Sequence, residues 1–309
     1  MLSRTASELY WMARYLERAE NITRVLDVTN RLSMMPTSNR VNFDLLVPLS
    51  LSNTQALFAE HYPQVSMTHL LNFFVLDSNN PSSIFSCLQM AWNNAHAVRG
   101  SLSSEVWESI NATWIEIKQL RRQGISATGI DAFFDWVKER SHLFRGAVYG
   151  TLLRSDALYF IRLGTLIERA DSTARLLDVK NQLLDNDDDP VREYYRMDTL
   201  LRAVSAREAY HSLYKQQLSR EAIAELLILR NEIPRSLLAC VNDMEQQLAL
   251  IGGNRSNQPR RLVSILLAEL RFSSITDVMA DGLHVYLMDF LGKINAIADS
   301  IRQTYLEVQ

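Results

Sequence analysis

A stretch of sixteen residues occurs twice in this chain, and the duplication limits the possible architectures more than any other feature. Tyr15 to Asn30 aligns without a gap on Leu166 to Asn181, and eight positions are identical: Glu17/Glu168, Arg18/Arg169, Ala19/Ala170, Arg24/Arg175, Leu26/Leu177, Asp27/Asp178, Val28/Val179 and Asn30/Asn181. The echo continues downstream. Leu70 to Asp77 and Pro81 to Leu88 match Ile223 to Arg230 and Pro234 to Val241, which places Cys87 opposite Cys240, and Tyr62 roughly matches Tyr214. Self-similarity at a fixed period marks repeated supersecondary units that share one core. The 309 residues are therefore expected to form a single domain of two halves, about 1–150 and 151–309, related by a pseudo-twofold.

The repeated unit reads as helical. Glycine (10) and proline (7) are both scarce, which leaves few tight turns and few sites for phosphate-cradling loops. Ser3 or Thr5 is expected to cap a first helix reaching about Leu32, followed by a turn at 35–40. Further helices are expected near 43–61, 66–76, 81–98 (with Pro81 in the first turn), 105–122, 131–154, from Ser155 or Asp156 through the second repeat, and near 191–215, 219–230, 234–251, 258–272 and 277–307. The predicted fold class is an all-α helical bundle. The acidic stretch 185–190 lacks the Gly and Glu of a calcium loop, and the stretch 252–261 lacks nucleotide-binding patterns; both read as turns.

Lys plus Arg number 32 against 35 Asp plus Glu, too balanced for a protein that coats nucleic acid. Two cysteines are too few for a disulfide framework, and their equivalence favours small buried apolar roles over a lone catalytic thiol. With no continuous apolar stretch of about 18 residues and no secretory-type start, the expectation is a cytoplasmic protein away from membranes.

Turning 100° per residue gathers Arg14, Glu17, Glu20, Asn21, Arg24 and Asp27 into a sector about 140° wide on the first repeated helix, with Arg18 at its edge. The second copy presents Thr165, Glu168, Asp171, Ser172, Arg175 and Asp178, with Arg169 beside them. Tyr10 and Val28 lie in line with Glu17 but farther along the axis, as do Ile161 and Val179 with Glu168. Each polar sector is thus fenced by apolar residues, which fits an enclosed patch better than a solvated stripe. Pairing of Glu17 with Arg169 and of Arg18 with Glu168 is expected across the pseudo-twofold. By this reckoning the first patch neutralises itself and the second has a small acidic excess.

Three uses of such a patch stand open: a structural ion network, an anionic or amino-acid-like ligand held by the arginines, or a metal. A carboxylate-bridged metal pair needs two Glu-x-x-His motifs, and only Glu208 to His211 has that spacing, so no metal and no cofactor are expected. No nucleophile signature or phosphate loop is present, which leaves any catalytic residue unassigned. If the chain is an enzyme, Glu17 and Glu168 are the candidates for a general base; a helical adaptor without catalysis is the other alternative.

At Tyr10-Trp-Met-Ala-Arg-Tyr-Leu-Glu-Arg-Ala-Glu-Asn21 and Phe160-Ile-Arg-Leu-Gly-Thr-Leu-Ile-Glu-Arg-Ala-Asp171 the chain resembles the bacterial alpha-E family, a helical fold named for its Glu-Arg motif. The resemblance extends to the Met1 start, to Asn80-Pro-Ser-Ser-Ile84, to Val106-Trp-Glu-Ser-Ile-Asn111 and to Pro234-Arg-Ser236. It implies a protein encoded beside, or fused to, a circularly permuted ATP-grasp ligase, often with a transglutaminase-like protein, in the synthesis or modification of peptides. The expected function is an accessory partner of that system. Glu17, Arg18, Glu168 and Arg169 carry over as the family's characteristic residues. Where relatives tend to carry Glu-Asn-Ala-Arg, this chain has Asn93-Asn-Ala-His96, which weakens anion binding by that segment.

Overall fold

The computed structural model describes residues 1–34, 43–124, 129–185, 190–215, 217–251 and 257–307. Among these there are fifteen α-helices and no strand. The turn expected at 35–40, most of the acidic stretch (186–189) and the glycine-containing stretch 252–256 lie outside the described residues.

The two repeated segments form the longest helices, α1 (Ser3–Ser33) and α8 (Asp156–Asp185). Neither contains proline, and α1 contains no glycine, so nothing interrupts the backbone ladder for about 45 Å in each. Leu2, not Ser3 or Thr5, occupies the N-cap of α1, and no side chain caps it. Tertiary packing replaces the cap, because Ala6, Leu9 and Tyr10 in the first turns are fully buried.

Between these two helices lie α2 (Val47–Ser52), α3 (Gln55–His61), α4 (Met67–Val75), α5 (Ile84–Ala97), α6 (Ser104–Gln123) and α7 (Ile130–Thr151). After α8 come α9 (Pro190–Ala203), α10 (Arg207–Tyr214), α11 (Arg220–Leu229), α12 (Leu237–Leu250), α13 (Gln258–Phe272), α14 (Ile275–Ala280) and α15 (Leu283–Ile301). The last of these runs into a π-helical turn, Arg302–Leu306.

Three stretches expected to be continuous are broken. Segment 43–61 starts as a 3₁₀ turn, Phe43–Leu46, and divides at Asn53 (φ 52°), while 191–215 divides at Ser205 (φ 55°). The breaks are alike. Asn53 and Thr54 donate to Ser50 and Leu49 carbonyls, and Ser205 and Ala206 donate to Arg202 and Leu201 carbonyls. In both places this double closure ends the helix with a left-handed residue. Segment 277–307 divides at Gly282 (φ 94°). Pro81 and Pro234 also lie before their helices rather than in the first turn; Ser83 and Ser236 are the caps, accepting from the backbone N–H of Ser86 and Ala239.

α1 packs on α8, α5 and α7, and α8 packs on α1, α12 and α15. Met1 meets Asp156, and the Tyr10 region meets Gly164, so α1 and α8 run side by side in the same direction. Their approach is exceptionally close at Gly164, where a Cβ would lie 2.2 Å from the Tyr10 carbonyl oxygen. Around this pair the core is continuous through both halves. Cys87 and Cys240 are fully buried within it, each with its Sγ toward a proline carbonyl, Pro81 at 3.9 Å and Pro234 at 3.7 Å.

Candidate functional site

Where α1 and α8 cross, their Glu-Arg motifs interlock. Arg169 donates through Nε and Nη2 to the two oxygens of Glu17, at 2.9 and 3.0 Å. Arg18 does the same to Glu168, at 2.5 and 3.0 Å, and Arg14 adds a third donor to Glu168 at 2.8 Å. Two-point pairs of this kind match the guanidinium fork to the carboxylate and fix orientation as well as charge. They are shielded from water: Glu17 is 2% and Glu168 6% exposed.

Glu20, fully buried, forms the second tier on α1. It accepts from Arg24 at 2.9 Å, from Arg145 of α7, and from Arg235 in the turn before α12 at 3.0 Å. Arg235 also lies 3.0 Å from Glu17 and donates to Asn21 Oδ1 at 2.7 Å. Arg145 reaches Glu17 at 3.5 Å. Three buried carboxylates, Glu17, Glu20 and Glu168, are thus surrounded by six arginines.

Electrostatics follow from that count. Burial opposes ionisation of Glu17, yet Arg169 and Arg235 hold its pKa below the ordinary carboxylate value. The same contest puts Glu168 below its usual value through Arg18 and Arg14, and Glu20 well below through Arg235 and Arg145. Burial also works against the charge of Arg14, Arg18 and Arg169, but their carboxylate partners win and raise the pKa of each. Arg235 goes the other way: burial first, reinforced by Arg169 and Arg24, outweighs Glu17 and Glu20 and lowers its pKa. Removal from water is the first cause at Arg235, whose guanidinium sits with those of Arg169 and Arg24 beside Glu17 and Glu20.

Other residues of the polar sectors pair elsewhere. Asp27 is held by Lys138 of α7 at 3.0 Å and by Arg31 at 2.7 Å. Asp178 bonds Nδ1 of His284 on α15 at 2.6 Å. Asp171 and Arg175 form an i, i+4 pair at 2.8 Å that is partly exposed. The small acidic excess expected of the second patch is not what the structure contains. Glu168 is neutralised by arginines of α1, and α7 and the turn before α12 add two more arginines beside Glu20; the surplus is cationic. Angular positions on one helix cannot register charges that arrive from others.

Two chambers flank the interlocked motifs. One, of about 310 Å³, is bordered by Glu20, Arg24, Arg145, Arg169 and Arg235, with Arg162, His142 and Asp243 near them. The other, about 380 Å³, is bordered by Arg14, Arg18, Glu168, Asp171 and Arg175, with serines and asparagines making up much of its remaining wall. His96 borders neither of these chambers. It stacks on Trp92 with ring centroids 5.2 Å apart and lies 5.9 Å from Trp107, whose ring faces Arg99. Among the described residues no group of three or more potential metal ligands comes together.

Arg145, Arg162 and Arg235 were not among the residues marked by the repeated helices. Arg145 carried no sequence signal. Arg235 did: it stands in Pro-Arg-Ser where the matched segment has Pro81-Ser-Ser83, a charge replacing serine just before a capping residue. A separate buried cluster also gave no sequence signal, with Asp44 accepting from Lys180 at 2.8 Å and Arg196 at 3.1 Å to tie the 3₁₀ turn to α8 and α9.

Fold and site define an all-α protein built around two long helices whose Glu-Arg motifs neutralise each other. The chain belongs to the Alpha-E family, described as a predicted alpha-helical domain with a conserved ER motif, whose model matches residues 1–306. Uncharacterised proteins of Mycobacterium bovis and of two strains of Mycobacterium tuberculosis are 25% identical over 328 aligned positions, covering 98% of this chain and 37% of each relative. The chain thus spans little more than a third of those relatives. No solved structure matches it. Among the described residues no helix is long and apolar enough to cross a membrane.

Proposed function

We propose that this protein is an accessory partner of a circularly permuted ATP-grasp ligase that makes or modifies peptides, with its Glu-Arg core serving as a rigid centre that presents an anionic or amino-acid-like ligand. A transglutaminase-like protein would act in the same system. On this reading residues 1–309 work as one unit, with halves 1–150 and 151–309 related by a pseudo-twofold. The observation that carries the ligand part is the surplus of arginine over carboxylate around Glu20. The association part rests on family membership, supported by the fact that the match covers only 37% of each mycobacterial relative, so the domain there is joined to further chain.

The geometry favours this reading over a general base at Glu17 or Glu168. A base works best with a pKa near the working pH, and these carboxylates are held below even their ordinary values by two or more guanidiniums each. Co-expression with a circularly permuted ATP-grasp ligase from the same source, followed by affinity purification and a ligase assay with and without the helical protein, tests the proposal. Co-purification with altered ligase turnover is expected; neither a complex nor a change in turnover would overturn it.

A further inference from the structure

We infer that the chamber on the Arg235 side of the core is a binding site for a small organic dianion, an oxyanion head of the carboxylate or phosphoryl class on a short apolar body. The inference deepens the ligand part of the function proposed above and rests on it.

Charge gives the class of ligand. Arg24, Arg145, Arg162, Arg169 and Arg235 stand at this chamber against Glu20 and Asp243 on the wall and Glu17 directly behind it, five guanidiniums to three carboxylates. His142 adds no charge near neutrality, because burial and the neighbouring Arg145 lower its pKa. Two positive charges are left over. Buried charge in excess is costly, whereas guanidinium forks are the groups best matched to carboxylate and phosphate oxygens. Arg235 is the sharpest case, since it is 8% exposed and shares its two carboxylates, Glu17 and Glu20, with Arg169, Arg24 and Arg145. An arriving dianion would supply the missing counter-charge.

Shape gives the body. The same chamber is walled by Val148, Ile161, Leu166, Val204 and Ile233, with Tyr149 near its rim under the Arg162 guanidinium at 5.3 Å. Its 310 Å³ lies at the small end of ligand pockets, which run from about 300 to 1,000 Å³. Arginines on one side and aliphatic surface on the other suit a molecule with a charged head and a few carbons behind it.

The opposite chamber makes the contrast. At the place of Arg235 it has Ser82, and three guanidiniums there face two carboxylates, Glu168 and Asp171. Arg235 in place of Ser82, with Arg145 and Arg162 near it, thus makes this chamber the more cationic of the two.

Isothermal titration of the purified chain at about 0.1 M salt, with inorganic phosphate and with N-acetylglutamate as probes and the uncharged N-acetylglutamine amide as control, tests this. At least one dianion should saturate a single site while the neutral control does not, and which one binds separates phosphoryl from carboxylate ligands. Arg162→Gln, at a partly exposed and loosely paired position (3.5 Å to Asp243), should weaken binding by about tenfold. Asp243→Asn, which removes an acid from the rim, should strengthen it severalfold; Arg260→Gln, on the surface of α13, should change it less than twofold. No saturable binding by either dianion, an equal loss in Arg260→Gln, or a loss confined to Arg175→Gln in the other chamber would overturn the inference. Because the chain is titrated alone, these outcomes do not depend on the ligase: a complex that forms without anion binding would remove this inference and leave the partnership standing.

Discussion

Glu17 and Arg169 stand 152 positions apart in the chain and form a two-point ion pair at 2.9 and 3.0 Å, which Arg18 and Glu168 reproduce in reverse. Each long helix supplies the carboxylate for the other's guanidinium. Neither charged motif can be buried stably without its partner, so the pair couples the two halves of the sequence energetically.

Glu17→Gln is expected to destabilise the protein by about 3–5 kcal/mol, because Arg169, Arg235 and Arg145 would each lose a buried counter-charge. Glu168→Gln should cost a similar amount through Arg14 and Arg18. Urea unfolding followed by circular dichroism measures both. A change below about 0.5 kcal/mol, the size typical of exposed pairs, would show that the motif is not a structural tie.

Close approach of α1 and α8 predicts opposite effects for two glycine substitutions. Gly164→Ala would push a methyl group to 2.2 Å from the Tyr10 carbonyl oxygen, forcing the helices apart at a cost of about 1–3 kcal/mol or more. Gly146, exposed in the last third of α7, has nothing within 4 Å of a Cβ, so Gly146→Ala should stabilise by about 0.5–1 kcal/mol. Melting temperatures of the two variants should move in opposite directions.

Acid should unfold the protein through its core carboxylates. Glu17, Glu20, Glu168 and Asp44 all have folded-state pKa values below the ordinary ones, so the unfolded chain takes up protons first as pH falls. The stability they contribute is complete above about pH 4.3, the unfolded Glu value, and drains away as pH drops from there toward the folded-state values. Urea midpoints should be similar at pH 7 and pH 5 and fall steeply between pH 4 and pH 3. In Glu17→Gln that acid limb should be shallower.

Cys87 and Cys240 should be inert in the folded protein. Burial pushes both thiols up to about 12, and neither is exposed. A chromogenic disulfide reagent at pH 8 should report no free thiol in native protein and two in 6 M urea. Rapid native reaction of either thiol would contradict the packing described for α5 and α12.

Much of the arrangement is legible in the residues themselves. Period-3.6 patterning and scarce glycine and proline mark the helices, and the apolar fence around Glu17 and Glu168 marks their charged faces as enclosed. The breaks at Asn53 and Ser205 are not legible. Ending a helix there depends on the left-handed closure of each turn and on the packing of the next helix, and Ser205 is a poor advertisement for φ above zero. The Arg145 charge at Glu20 is equally hidden, since it comes from α7, more than a hundred residues away.

The sequence alone determined the all-α class, the duplicated Glu-Arg helices and the burial of the two cysteines, because these follow from local periodicity and from internal comparison of one half with the other. Only the tertiary structure decided the sign of the charge left over. That quantity is a sum over side chains brought to one place by α1, α7, α8 and the turn before α12. Long-range packing, not the order of residues along any single helix, sets which further guanidiniums join the Glu17–Arg169 and Arg18–Glu168 pairs that the repeat predicts.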